Sequence, residues 1–95
     1  MNLTSYETFY ILKPDVTEKM NLNLVNYYRN LVEEKGGKNI SVQYRGRRHL
    51  SYNILHYYDG IYVQLNFYGN GYLVKLLQKH MRLNDQVLRC LTLKN

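Results

Sequence analysis

The spacing of apolar positions switches between a period of two and a period near 3.6 along the chain, and each switch marks the edge of an element. Tyr6 to Leu12 is an apolar and aromatic run of strand length, stopped by Lys13-Pro14-Asp15, where proline removes a backbone donor and restricts the residue before it. Asp15 followed three residues later by Glu18 suits a helix start, and Leu24, Val25, Tyr28, Leu31 and Val32 recur at helical spacing up to Gly36-Gly37. A strand and then a long amphipathic helix are predicted. From Lys38 to Tyr52 the alternation of Ile40, Val42 and Tyr44 restores a period of two, and Gly46 in mid-strand predicts a bulge that re-aims its neighbours. His56 to Gly60 is polar and ends in Asp59-Gly60, a turn signal, after which Ile61, Val63, Leu65 and Phe67 alternate with Tyr62, Gln64, Asn66 and Tyr68. These two runs are expected to pair as a hairpin. Gly69-Asn70-Gly71 breaks the second run, Leu73, Leu76, Leu77, His80 and Met81 predict a short helix, and Val87 to Leu93 closes the chain as an apolar strand.

The predicted order β-α-β-β-α-β, with no linker, repeat or low-complexity segment, specifies an α+β domain spanning residues 1–95. Right-handed crossovers of its two β-α-β halves give the ferredoxin-like arrangement, a four-stranded antiparallel sheet with two helices on one face. The other sheet face is left without helices. On the first strand Tyr6, Thr8, Tyr10 and Leu12 share one face and Phe9 and Ile11 the other, so both sides are partly apolar. An uncovered apolar face on a basic domain suits base stacking or a protein partner.

Charge narrows the partner class. Among 95 residues, 13 Lys and Arg stand against 7 Asp and Glu, a net charge of +6 that attracts phosphate backbones through counterion release. Three arginines concentrate in Arg45-Gly46-Arg47-Arg48-His49-Leu50-Ser51-Tyr52, where the guanidinium fork fits phosphate oxygens two at a time and stacks on bases. The cluster reads as RNA binding or, without a partner, as a solvated basic loop. An anionic membrane surface would call for a basic amphipathic helix, and the arginines are read as lying outside the helical segments. No apolar run approaches the roughly 20 residues that span a bilayer, and strand-like sequence close to Met1 is read as leaving no room for a targeting peptide. The single cysteine, Cys90, rules out an intrachain disulfide, favours a reducing compartment and reads as a small buried hydrophobe.

Catalytic equipment is missing from the pattern. His49, His56, His80 and Cys90 show none of the short spacings of a zinc site, so no metal or cofactor is expected. Ser5, Ser41 and Ser51 lack a nucleophile elbow, no Walker-type phosphate loop exists, and Glu33-Glu34 beside Lys35 reads as a solvated helix surface. The element order invites comparison with the RNA recognition motif, but Gly60 to Phe67 places Ile61 and Val63 where that motif carries stacking aromatics. Recognition of shape and backbone by arginines is the expectation that survives. Arg82, Arg89 and Lys94 extend the basic set, and if the strands pair as proposed they join Arg45, Arg47 and Arg48 in one rim, with His49 and Tyr52 beside them. Two rivals from other classes are a ligand-binding or acyl-phosphate-hydrolysing domain and a regulator that dimerises through its sheet. The hydrolase needs an arginine in an anion-binding loop after the first strand, where this chain has Lys13-Pro14-Asp15.

Several segments together resemble the bacterial and plastid family of small ribosomal subunit protein six. Tyr6-Glu7-Thr8 through Ile11-Leu12-Lys13-Pro14-Asp15 resembles its opening strand and turn, Gly36-Gly37-Lys38 its first helix end, and Gly46-Arg47-Arg48-His49-Leu50-Ser51-Tyr52 its most recognisable motif. Arg82-Leu83-Asn84-Asp85 with Val87-Leu88-Arg89 resembles its closing segment. The resemblance implies a ferredoxin-like, non-enzymatic protein, without cofactor or small-molecule substrate, that binds small-subunit ribosomal RNA together with ribosomal protein eighteen of the same subunit. The partner would supply the apolar contact for the helix-free face. Arg45, Arg47, Arg48, His49, Tyr52, Arg82, Arg89 and Lys94 are the expected RNA- or partner-binding residues. Arg45 stands where many bacterial relatives carry tryptophan and Asn53 where proline is common. Arginine before Gly46, with Asp59-Gly60-Ile61-Tyr62-Val63-Gln64, is similar to the cyanobacterial and plastid branch, which implies a plastid stroma or a cyanobacterial cytoplasm.

Overall fold

The computed structural model describes residues 3–95. In chain order it contains β1 (Thr4–Leu12), α1 (Glu18–Glu34), β2 (Lys38–Ile54), β3 (Tyr57–Gly69), α2 (Gly71–Arg82) and β4 (Val87–Lys94). The strands form one sheet in the order β2-β3-β1-β4, with every neighbouring pair antiparallel. This is the ferredoxin-like arrangement, with the core between the sheet and the two helices. Tyr10 and Leu12 from β1, Val63, Leu65 and Phe67 from β3, Tyr28 and Val32 from α1, and Leu73, Leu77 and Met81 from α2 are all buried there. The rings of Tyr10 and Tyr28 meet edge to face with centroids 5.5 Å apart.

One helix start departs from the sequence pattern and the other agrees with it. The α1 cap is Thr17, whose hydroxyl accepts the Met20 amide at 3.2 Å. Asp15 serves elsewhere, its carboxylate accepting a 2.7 Å hydrogen bond from the Tyr57 hydroxyl. Both residues favour caps, and Asp15 is drawn off because β3 passes within reach. At α2 the Asn70 side chain accepts the Leu73 amide at 2.9 Å, so the Gly69-Asn70-Gly71 break contains the cap. The reading that arginines avoid the helices is also corrected: Arg29 lies within α1 and Arg82 ends α2.

The β2–β3 hairpin departs further. Asp59-Gly60 is no turn; it lies inside β3, opposite His49 and Arg48. The chain reverses at Leu55-His56, with φ of 50° and 71°, while Ile54 pairs with Tyr57. Strand pairing outweighs the local turn preference because Asp59 meets two cations across the ladder. Gly60 also leaves the space that Ile11 uses: a Cβ there would stand 2.3 Å from Ile11 Cγ2. The predicted bulge is present. Tyr44 pairs with Val63 and Gly46 with Tyr62, so Arg45 is the extra residue and Gly46 takes φ +84°.

Candidate nucleic-acid interface

Side chains alternate across a strand, so register decides which face each residue serves. Tyr10 and Leu12 face the helices, which puts Glu7, Phe9 and Ile11 on the helix-free face, opposite Asn66, Gln64 and Tyr62 of β3 and Leu93, Leu91 and Arg89 of β4. Ile61 and Val63, the positions compared with stacking aromatics, point into the core. Tyr62 is the aromatic of that segment on the open face, beside Gln64 and Asn66.

The helix-free face is divided by chemistry. Toward β2 it is polar: the Arg45 guanidinium donates to Gln43 Oε1 at 2.6 Å and to Gln64 Oε1 at 2.7 Å. Gln64 Nε2 in turn donates to Asn66 Oδ1 at 3.0 Å and to Glu7 at 3.4 Å. Arg45 is thereby held against the sheet, with donors left for an outside acceptor. Arg45, Arg48 and Tyr62 line one shallow hollow, which His49 borders from the strand edge. Toward β4 the face is apolar, with Phe9 and Ile11 beside Leu91 and Leu93, which are 55% and 46% exposed.

The end of the long hairpin curls back over this face. Leu50 is only 4% exposed although no helix covers it, because it lies over Gly60 and beside Ile11. Tyr52, from one edge strand, reaches Arg89 on the opposite edge strand. The guanidinium donates to the tyrosine hydroxyl and sits 5.5 Å from the ring centroid. Ile11, Leu50, Tyr52, Ile54, Tyr62 and Arg89 enclose a cleft of about 100 Å³ between hairpin and sheet.

The rest of the basic set is distributed elsewhere. Arg47 and His49 face the helix side at the end of the sheet, where both donate to Asp59, at 3.2 Å from Arg47 Nη2 and 3.2 Å from His49 Nδ1. Hydrogen bonds from His49 and then Arg47 hold the Asp59 carboxyl below its ordinary range. Arg82 ends α2 on the helix side, and Lys94 pairs with Tyr6 at the far end of β1. The single rim expected from sequence is therefore separated. Arg45, Arg48, Tyr52 and Arg89 share the helix-free face, Arg47 and His49 share Asp59 on the other, and Arg82 and Lys94 stand apart. The bulge is the physical reason, because one extra residue inverts the alternation between Arg45 and Arg47. Sequence reasoning missed Gln43, Gln64 and the Leu91–Leu93 pair. The period-two count from Phe9 and Ile11 holds the signal for the leucines, but only once β4 is paired with β1.

Comparison with known proteins agrees with this architecture. The family description ribosomal protein S6 matches residues 5–94. Small ribosomal subunit protein bS6c of Gracilaria tenuistipitata var. liui is 56% identical over 95 residues, covering 100% of this chain and 92% of the relative. Small ribosomal subunit protein bS6 of Synechococcus sp. (strain RCC307) is 50% identical over 90 residues, covering 95% of this chain and 67% of the relative. The crystal structure of 30S ribosomal protein S6 from Thermotoga maritima superposes with a TM-score of 0.93 at 28% identity, covering 99% of this chain and 89% of that one. Red algal plastid and cyanobacterial relatives place the chain in the plastid and cyanobacterial branch. The chain belongs to the ribosomal protein S6 family, structural and non-enzymatic proteins of the small ribosomal subunit.

Proposed function

We propose that this protein, acting as one domain, binds small-subunit ribosomal RNA together with ribosomal protein eighteen through its helix-free sheet face. The observation that carries the reading is the division of that face. Arg45 and Arg48 present guanidiniums at the β2 side, where bidentate contact with phosphate is favoured. Phe9, Ile11, Leu91 and Leu93 present an apolar strip at the β4 side, which suits a protein partner. The Tyr52–Arg89 pair stands between the two regions.

The test uses two variants of the full chain in small-subunit assembly. Arg45→Glu with Arg48→Glu is expected to weaken binding to small-subunit ribosomal RNA at least tenfold and to flatten its salt dependence. Leu91→Asp, an exposed site, is expected to keep the fold but lose co-sedimentation with ribosomal protein eighteen. Parental RNA affinity and salt slope in the first variant, with parental partner binding in the second, sinks the reading. A stable dimer of the free chain that never joins small subunits would favour the sheet-mediated regulator instead.

A further inference from the structure

The outward surface of α2 differs in kind from the rest of the helical layer. Between Gly71 and Arg82 the helix carries Lys75, Lys79, His80 and Arg82 and no carboxylate. Leu73, Leu77 and Met81 are 1%, 0% and 0% exposed, committed to the core, and Val74 and Leu76 beside them are half-buried. At about 100° per residue, Tyr72, Lys75, Lys79 and Arg82 fall on the diametrically opposite side, and all four are exposed. Successive members lie three or four positions apart, so they form a ridge about 15 Å long, the rise of about four phosphates along a strand. The α1 helix, by contrast, mixes Glu18, Glu33 and Glu34 with its cations, and Arg29 pairs with Glu33 at 3.2 Å. Among the described residues, the ion pairs join Arg29 to Glu33 and Arg47 and His49 to Asp59, so the ridge cations retain their full field. Asp85, in the loop beyond Arg82, is the acid nearest in sequence.

We propose that the Tyr72–Lys75–Lys79–Arg82 ridge is a second RNA-binding surface, seated on a sugar-phosphate backbone and reading charge and shape. It lies on the helix side of the sheet, opposite the helix-free face, and is independent of the function proposed for that face. A linear array of unpaired cations fits a linear polyanion, and Tyr72, 73% exposed, adds a ring at one end on which a base can stack. An anionic membrane is the weaker occupant, because an interfacial helix must insert an apolar face, whereas Leu73, Leu77 and Met81 of α2 are buried in the core and Val74 and Leu76 are half-buried. The protein then separates two ligands, one on each side of the sheet.

The full chain is compared with K75Q/K79Q/R82Q and with R45Q/R48Q, using an RNA duplex of about 16 base pairs between about 50 and about 200 mM salt. Glutamine has nearly the helix propensity of lysine and the sites are exposed, so unchanged far-ultraviolet circular dichroism serves as the fold control. The ridge variant is expected to bind at least tenfold more weakly at the lowest salt, its log–log salt slope shallower by about two to three. Lys75 and Lys79 are also expected to resist acetylation in assembled small subunits and react in the free protein. A parental slope for the ridge variant beside a flatter one for R45Q/R48Q overturns this proposal and leaves the helix-free face reading standing; the reverse pattern supports the ridge and counts against that reading. Binding to phosphatidylserine vesicles as tight as to RNA, lost in the ridge variant, overturns it in favour of a membrane surface.

Discussion

Gly46 and Gly60 occupy neighbouring strands of the same hairpin and are glycine for different reasons. Gly46 takes φ +84° with nothing within 4 Å of where a Cβ would stand, so its requirement is conformational. Gly60 needs no unusual backbone, but a Cβ there would collide with Ile11 Cγ2. Gly46→Ala is expected to cost about 1–2 kcal/mol, and Gly46→Asn less, because asparagine tolerates positive φ. Gly60→Ala should cost about 1–3 kcal/mol through overpacking, with no relief from asparagine. Denaturant midpoints of the four single variants, Gly60→Asn included, check this, and an equal penalty for Gly46→Asn and Gly46→Ala would contradict the conformational account. Gly46 was legible in the sequence as a bulge because a glycine interrupts an otherwise alternating strand. Gly60 was misread as part of a turn, since Asp-Gly favours turns locally and only strand register reveals Ile11 beneath it.

At the scale of elements, the hairpin shows where local preference and tertiary pairing disagree. Its reversal uses Leu55 and His56, both at positive φ, where asparagine and glycine are the preferred pair. Leu55 is 69% exposed, so neither burial nor packing repays the strained backbone. Leu55→Asn with His56→Gly is expected to stabilise the protein by roughly 1 kcal/mol, raising the thermal midpoint by about 4–8 °C for a domain of this size. An unchanged or lower midpoint in a calorimetric scan would show that the tip is not under strain. The helices were more legible than the hairpin. Leucine spacing located both, since an amphipathic helix must turn one stripe toward the sheet whatever its surroundings. Their caps needed the structure, because Asp15 and Thr17 are both competent and the position of Tyr57 selects between them.

Across the whole molecule, burial of tyrosine makes stability sensitive to alkaline pH. Burial raises the Tyr28 phenol to about 12, helped by Tyr27 and Cys90, and raises Tyr10 further still. A group whose folded value exceeds its unfolded one, near 10 for tyrosine, stabilises the fold fully below pH 10. That contribution is lost as pH climbs from about 10 toward 12, by up to about 1.4 kcal/mol per pH unit for each phenol. Urea unfolding across this range should therefore show a steep decline, flattened in Tyr10→Phe with Tyr28→Phe; equal slopes in parent and variant would refute the assignment. At neutral pH the same variant removes the Tyr10 hydroxyl, buried without a partner among the described residues, and should not destabilise through lost hydrogen bonding there. By itself the sequence determined the kinds of elements, their order, the presence of a helix-free sheet face and the excess of positive charge. Those properties follow from local periodicity and composition, which every segment carries within its own residues. Tertiary structure alone decided which cations share a surface. One extra residue at Arg45 inverts every later side chain on β2, and the strand order places Tyr52 against Arg89 from opposite edges of the sheet. Register and strand order are relations between distant segments, so the division of the arginine cluster between two faces became visible only once the strands were paired.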